Sequence, residues 1–249
     1  MRARRSRSEQ TPRAPLRPCA PVPLQHGEAV CVLVSGGLDS AVLARAMARR
    51  YAPVFPLYVR AGLRWEPVEE YWLRRFLRAI NAGGAIRPLT VAGLPVEDIY
   101  GAHWSLTGRG VPGARSADGA VYLPGRNLLL LSKAAVFCAL HGIPAVAMGP
   151  LKGNPFPDAT PAFFRGFARL AGRALGFPLR VLTPLARLSK TQVIRSANDL
   201  PLGLTFSCMR PVGRRHCGAC NKCQERRRAF RAAGLPDPTA YAARPARRR

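Results

Sequence analysis

An α/β fold built on a parallel sheet is the reading this chain supports, on three observations. Short apolar runs alternate with amphipathic stretches, as buried strands alternate with crossover helices. The first apolar run, Ala29-Val30-Cys31-Val32-Leu33-Val34, passes through Ser35-Gly36-Gly37-Leu38-Asp39-Ser40 into the helical pattern Ala41-Val42-Leu43-Ala44-Arg45-Ala46-Met47. Four cysteines crowd together near the C-terminus, where they suit an appended metal-binding segment. The 249 residues, 48% of them hydrophobic, suffice for one domain with such an appendage.

The elements follow in order. Residues 1–28, rich in Arg and Pro, read as a disordered basic tail. The main domain is expected over 29–200, with strands at 29–34, 53–59, 85–91, 144–149 and 179–182. Its helices are expected at 39–51, 67–81, 127–141, 161–175 and 190–198. Residues 101–121 carry many Gly, Ser and Pro and read as a mobile loop, a candidate lid. Ser189 and Gln192 fit a capping box opening helix 190–198. Lys190 then stands in the first turn, where a cation opposes the helix dipole unless it serves an anion. A metal-binding helical region is expected over 201–235, with a helix at 222–233, and a second basic tail over 236–249.

The corner at Ser35–Ser40 carries the clearest chemistry. A glycine turn between a strand and a helix aims backbone N–H groups and the positive helix end at one anion. Gly36 and Gly37 let the backbone approach a phosphate, and Ser35 and Ser40 add hydroxyls. Asp39 is unfavourable beside bare phosphate, which suggests a bound Mg²⁺ or a helix cap. The hexapeptide resembles the pyrophosphate loop of the N-type ATP pyrophosphatases, Ser-Gly-Gly-x-Asp-Ser. It lacks the Gly-Lys-Ser/Thr ending of a Walker A loop.

Cys208, Cys217, Cys220 and Cys223 form the pattern C-x8-C-x2-C-x2-C. Four thiolates give tetrahedral Zn²⁺ a closed shell with no open position, which predicts a structural site. An iron–sulfur cluster uses the same ligand set. A zinc ribbon for nucleic acid is a further reading, since Arg214, Arg215, Arg226, Arg227 and Arg228 flank the cluster. Cys19, Cys31 and Cys138 have no such company.

The formal net charge is +26, with 35 Arg against 4 Lys. So Arg-skewed a composition arises from GC-rich coding without selection for binding, yet nonspecific attraction to nucleic acid through the tails is expected at low salt. No apolar run is long enough for a membrane span, and the N-terminus lacks a secretory pattern, so a cytoplasmic protein is expected.

Three further segments extend the resemblance to one family, the 7-cyano-7-deazaguanine synthases. Leu123-Pro124-Gly125-Arg126-Asn127 is similar to that family's Val-Pro-Gly-Arg-Asn, and Leu188-Ser189-Lys190-Thr191 to its lysine-bearing helix start. Ser207-Cys208, then Cys217-Gly218-Ala219-Cys220-Asn221-Lys222-Cys223 with Arg226 and Phe230, is similar to its zinc-binding end. The likeness spans residues 29–231. It implies conversion of 7-carboxy-7-deazaguanine, ammonia and ATP to the nitrile, in a homodimer holding structural zinc. The acid would be adenylated and aminated to an amide, whose oxygen ATP activates again before elimination.

It further implies ATP contacts from Val34, Ser35, Gly36, Gly37, Leu38, Asp39, Ser40, Ala41, Val42, Leu43, Gly125, Arg126 and Asn127. Asp39, Arg126 and Lys190 would be catalytic. The acid would meet Arg64, Lys152, Phe156 and Asp158. Here the chain departs from the family: Ala159-Thr160 replaces a Cys-Arg pair, Lys152 is new, and Ala61-Gly62-Leu63-Arg64-Trp65 keeps only Gly and Arg of Tyr-Gly-Gln-Arg-His. Two alternatives follow: an adenylating enzyme acting on another carboxylate or a tRNA base, and a zinc protein that binds nucleic acid.

Overall fold

A computed structural model describes residues 28–242. The expected tail residues 1–27 and 243–249, with Cys19 and the nucleic-acid binding assigned to them, lie outside the described residues.

Five parallel strands form one sheet in the order β3-β2-β1-β4-β5, made of β1 (Val30–Leu33), β2 (Val54–Arg60), β3 (Thr90–Gly93), β4 (Ala145–Ala147) and β5 (Arg180–Leu182). Both faces are covered, as a parallel sheet requires. Val30, Val32 and Val34 of the first strand point to the face packed by α1 (Leu38–Ala48) and α2 (Glu66–Ile80). Cys31 and Leu33 point to the face packed by the long helices Arg126–Leu140 and Pro161–Leu175. Strand order reverses on either side of β1. The crevice beyond the carboxyl ends of β1 and β4 is where such sheets take ligands.

The third strand starts later than the expected 85–91. Pro56 and Pro88 each lack an N–H, so the β2–β3 ladder lapses between a Val54–Ile86 bridge and the Leu57–Thr90 pair.

The segment 101–121 also differs from expectation. A short helix, α3 (Glu97–Tyr100), precedes it, and it contains a second, α4 (Trp104–Thr107), and a 3-10 turn, Asp118–Val121. Trp104 stacks on Trp65 with centroids 5.9 Å apart, and Ser105 is fully buried. Asn221 ties the segment down: its N–H donates to Pro112 O and its Nδ2 to Ser116 O, both at 2.9 Å. It is a wall anchored to the cysteine region rather than a free lid.

The helices just named on the second face are α5 (Arg126–Leu140) and α6 (Pro161–Leu175). Thr160 caps α6, its Oγ1 accepting from Phe163 N–H at 3.1 Å. Beyond β5 come α7 (Lys190–Arg195) and α8 (Asn221–Ala233). α7 opens on the expected capping box and ends three residues before expectation, in the turn at Ser196–Ala197. Leu38 and Val42 of α1, Val193 and Ile194 of α7 and Ala229 and Phe230 of α8 share one buried cluster. The C-terminal helix is thereby packed onto the helix that leaves the glycine corner.

Arg226 of α8 is a buried strut. It is 1% exposed, and its Nη1 donates to Thr205 Oγ1 and its Nη2 to Leu202 O, each at 2.8 Å. Its Nε donates to Thr239 Oγ1, and Asp237 lies 3.8 Å away. Residues 236–242, expected to belong to a tail, instead pack on this region: His216 N–H donates to Ala240 O and Ala242 N–H to His216 O. The same geometry removes Arg226 from any nucleic-acid surface, and Arg227 is over the Tyr241 ring at 3.9 Å.

Truncating Arg226 leaves Thr205, Leu202 and Asp237 without their buried partner. Arg226→Ala is expected to lower unfolding free energy by about 3–5 kcal/mol in urea titration, with the loss concentrated in the C-terminal region.

Candidate active site and metal centre

The corner after β1 folds on its own hydroxyls. Ser40 Oγ donates to Gly37 O at 3.1 Å and accepts from Ser35 N–H at 3.1 Å, while Ser35 Oγ lies 3.2 Å from it. Gly36 adopts φ 75°, and a Cβ there would stand 3.0 Å from Glu69 O and 3.1 Å from Glu69 Cγ. Both the left-handed backbone and the contact with α2 therefore require glycine. The N-terminus of α1 has no side-chain cap, which leaves its first amides for an anion.

A cleft of about 330 Å³ opens above this corner. Val34, Ser35, Gly37, Leu38, Asp39 and Ser40 line it, together with Arg126, Asn127 and Lys190. Of the remaining residues expected to touch nucleotide, Ala41, Val42 and Leu43 are buried in the helix core, where they hold α1 rather than ligand. Gly36 turns the loop beneath the cleft, and Gly125 caps α5 at φ 68°.

Three groups expected to be catalytic thus converge from three elements. Lys190 Nζ donates to Asp39 Oδ2 at 2.7 Å and lies 3.3 Å from Glu225 Oε1. Burial works against the Lys190 charge, but Asp39 and Glu225 outweigh it and raise its pKa, so it stays an ammonium. Glu225 likewise overcomes its burial through Lys190 and Lys222 and is held down at about 2. Asp39 Oδ1 is buried with no hydrogen-bond partner, an acceptor waiting for a donor or a cation. Arg126 faces the cleft and, among the described residues, its guanidinium makes no hydrogen bond or ion pair.

The residues expected to meet the acid divide. Phe156 lines the cleft, stacked on Tyr122 with centroids 4.8 Å apart. Asp158 lines it too, but its carboxylate is committed to α5: it accepts from Asn127 N–H at 2.8 Å and from Asn127 Nδ2 at 3.2 Å. Asp158 thus caps α5, with Asn127 as its partner, and leaves the capping of α6 to Thr160. Arg64 is exposed beside Gly108, and Lys152 is exposed in the turn after β4; neither lines the cleft.

Other residues come to the cleft without having been expected there. Trp65, Trp104 and Tyr122 add aromatic surface, and Tyr58, Glu69, Ser207 and Lys222 add polar groups. Only the helical spacing of α2 offers a signal for Glu69, which falls on its buried side with Glu66, Leu73 and Phe76. Tyr58 OH donates to Glu69 Oε2 at 2.8 Å. Burial, with help from Glu66, pushes the Glu69 carboxyl up to about 8, against the opposing pull of Arg126 and of the Tyr58 hydrogen bond. At neutral pH the cleft floor therefore carries a largely uncharged acid, which does not repel phosphate.

The four thiols Cys208, Cys217, Cys220 and Cys223 are buried, with all Sγ atoms within 4.8 Å of one another. Individual separations are 3.5 Å (Cys220–Cys223), 3.8 Å (Cys217–Cys223) and 3.9 Å (Cys208–Cys220). Backbone N–H groups of Arg210 and Cys217 donate to Cys208 Sγ, and those of Ala219 and Cys220 to Cys217 Sγ, as suits thiolates bound to a metal. This donor set can hold a metal ion. Cys31 and Cys138 are buried in the core between β1 and α5, where they offer no accessible nucleophile.

Because the Glu69 pKa is raised on folding, the folded chain holds a proton that the unfolded chain releases between the ordinary carboxyl pKa and about 8. Its contribution is full at acid pH and is lost as pH rises through that window. Melting temperature should fall more steeply from about pH 5 to about pH 9 in the native chain than in Glu69→Gln, as differential scanning fluorimetry would show.

Comparison with known proteins fits this geometry. The family model "Queuosine biosynthesis protein QueC" matches residues 28–234. The chain is 35% identical to 7-cyano-7-deazaguanine synthase of Anaeromyxobacter sp. (strain Fw109-5), over 84% of this chain and 94% of the relative. It is 34% identical to the enzyme of that name from Methanothrix thermoacetophila, over 86% of this chain and 99% of the relative. Among solved structures, the U34-tRNA thiolase of Methanococcus maripaludis with its [4Fe-4S] cluster matches at TM-score 0.46 and 14% identity, over 84% of this chain and 69% of that one. With its family model spanning nearly all the described residues, the chain belongs to the QueC family of queuosine biosynthesis proteins.

Proposed function

We propose that this chain makes 7-cyano-7-deazaguanine (preQ0) from 7-carboxy-7-deazaguanine, ammonia and ATP, as an ATP-dependent C–N ligase of queuosine biosynthesis. One observation carries the reading. The Ser35–Ser40 corner with Asp39, Lys190 and Arg126 lines a single cleft together with Trp65, Trp104, Tyr122 and Phe156. The curated relatives' names support the product.

A carboxylate is a poor electrophile because its leaving group would be oxide. Its attack on the α-phosphorus of ATP expels pyrophosphate and leaves an acyl adenylate, from which ammonia displaces AMP to give the amide. Negative charge grows on the departing pyrophosphate. On this reading the uncapped amides of α1 and the hydroxyls of Ser35 and Ser40 meet it. Arg126 can bind phosphate oxygens bidentately, and Lys190 adds a point charge fixed by Asp39 and Glu225. Mg²⁺ entering with ATP supplies further charge neutralisation, and the unpartnered Asp39 Oδ1 suits its coordination. In the second half, the amide oxygen is adenylated in the same way, and loss of AMP with two N–H protons leaves the nitrile. The Tyr122–Phe156 and Trp65–Trp104 pairs offer flat apolar surface for a deazapurine ring. Residence in the cytoplasm and pairing into a homodimer belong to the same proposal.

Zinc is the metal this cysteine set fits best. Tetrahedral Zn–S bonds of ~2.3 Å place sulfurs roughly 3.8 Å apart, and the three pairs given above stand at 3.5, 3.8 and 3.9 Å. The cysteines of a [4Fe–4S] cluster each bind a different iron, and those of a [2Fe–2S] cluster are split two and two between its irons, so four such sulfurs stand further apart than four around one ion. All four positions are protein thiols, so the ion would be structural.

Purified protein given ATP, ammonia and 7-carboxy-7-deazaguanine should release AMP and pyrophosphate and form the nitrile, detected by mass spectrometry. Absence of acid-dependent AMP formation overturns the reading. Asp39→Asn should lower that rate by about a hundredfold or more while leaving the melting temperature within a few degrees. Metal analysis should find one zinc per chain, and Cys220→Ser should lose both the zinc and several kcal/mol of stability.

A further inference from the structure

The cleft has a wall that the first strand–helix corner does not supply. Phe206 N–H donates to Gly36 O at 2.8 Å, so the chain just before Cys208 is bonded to the loop itself. The next residue, Ser207, lines the cleft, and its Oγ is buried without a hydrogen-bond partner. Lys222 lines the cleft as well. It stands between Cys220 and Cys223 in the first turn of α8, a turn that holds no acidic residue. A cation there opposes the helix dipole, and the counter-charge its own helix offers is Glu225, one turn on.

What holds Lys222 is a run of alternating charges. Its Nζ lies 2.5 Å from Glu225 Oε2; Glu225 Oε1 lies 3.3 Å from Lys190 Nζ; and Lys190 Nζ lies 2.7 Å from Asp39 Oδ2. Glu225 is shared by the two lysines, and both lysines line the cleft together with the Ser35–Ser40 corner. Lys190 has two carboxylate partners, whereas Lys222 has one. An ammonium carries three donors, so Lys222 keeps N–H groups for a ligand.

We propose that the cysteine segment forms part of the nucleotide site. Lys222 and Ser207 donate to the phosphates of ATP, and a metal on Cys208, Cys217, Cys220 and Cys223 fixes the backbone that presents them. The inference rests on the reading of this cleft as an ATP site. It makes the metal a determinant of nucleotide affinity, although its closed thiolate shell never touches the nucleotide.

The test is titration of Mg·ATP, without acid or ammonia, into the zinc-loaded chain by isothermal calorimetry. Lys222→Met should weaken ATP binding by about tenfold, and Lys222→Arg by no more than about threefold, with zinc content and melting temperature unchanged. Stripping zinc with a chelator should weaken ATP binding in the native chain, and should cost Lys222→Met a smaller factor, since the link is already gone. Native-like ATP affinity in Lys222→Met overturns the inference and leaves the cleft an ATP site. Equal losses on stripping native chain and variant also overturn it. Failure of the native zinc-loaded chain to bind ATP overturns the nucleotide reading together with it.

Discussion

One backbone hydrogen bond, from Phe206 N–H to Gly36 O, closes the gap between the two ends of the described chain. Gly36 belongs to the first corner of the sheet and Phe206 to the approach to the cysteines. At the left-handed turn of Gly36 the carbonyl is taken up by the C-terminal segment. The corner can then offer amides to a ligand while its carbonyl is satisfied by protein. The shared apolar cluster of α1, α7 and α8 works in the same direction, because it fixes the two lysine-bearing helices against the helix that leaves the corner. Fold and site are therefore not separable here.

Charge is managed by pairing and by neutralisation. Taking an ion out of water costs several kcal/mol unless a counter-charge and hydrogen bonds compensate. Asp39, Lys190, Glu225 and Lys222 meet that condition by alternating in sign. Glu69 meets it differently, by keeping its proton on the floor of the cleft under Tyr58 and Arg126. Arg226 meets it with hydrogen bonds to Thr205, Leu202 and Thr239. The result is a cleft with cationic side chains and two unpartnered oxygens, Ser207 Oγ and Asp39 Oδ1, of which the carboxylate suits a divalent cation.

Much of this was legible before any coordinates. Apolar runs placed β1, β2, β4 and β5 to within two residues at each end, whereas β3 begins five residues after its expected start. The corner motif and the cysteine spacing are local in sequence, so their chemistry could be read as words. The errors share a cause. Arg64 and Lys152 are charged residues beside the right strands, but their side chains leave the cleft for solvent. Asp158 reaches the cleft, yet its acceptors are taken by the backbone and amide of Asn127, 31 residues away in sequence. The segment 101–121 has the composition of a loose loop and is tied down by Asn221 from the far end of the chain.

By itself the sequence determined the class of fold, the glycine corner between β1 and α1 and the grouping of four thiols, because each is a short-range pattern fixed by backbone geometry and residue chemistry. Only tertiary structure decided which side chains share the cleft. Glu69 carries no local mark of a site, and Lys222 and Ser207 are marked in sequence only as neighbours of the cysteines. They become one site through packing: α8 docks on α1, Phe206 bonds to Gly36, and α2 lies beneath a glycine that leaves no room for a Cβ. Those contacts join residues far apart along the chain, and no local pattern encodes them.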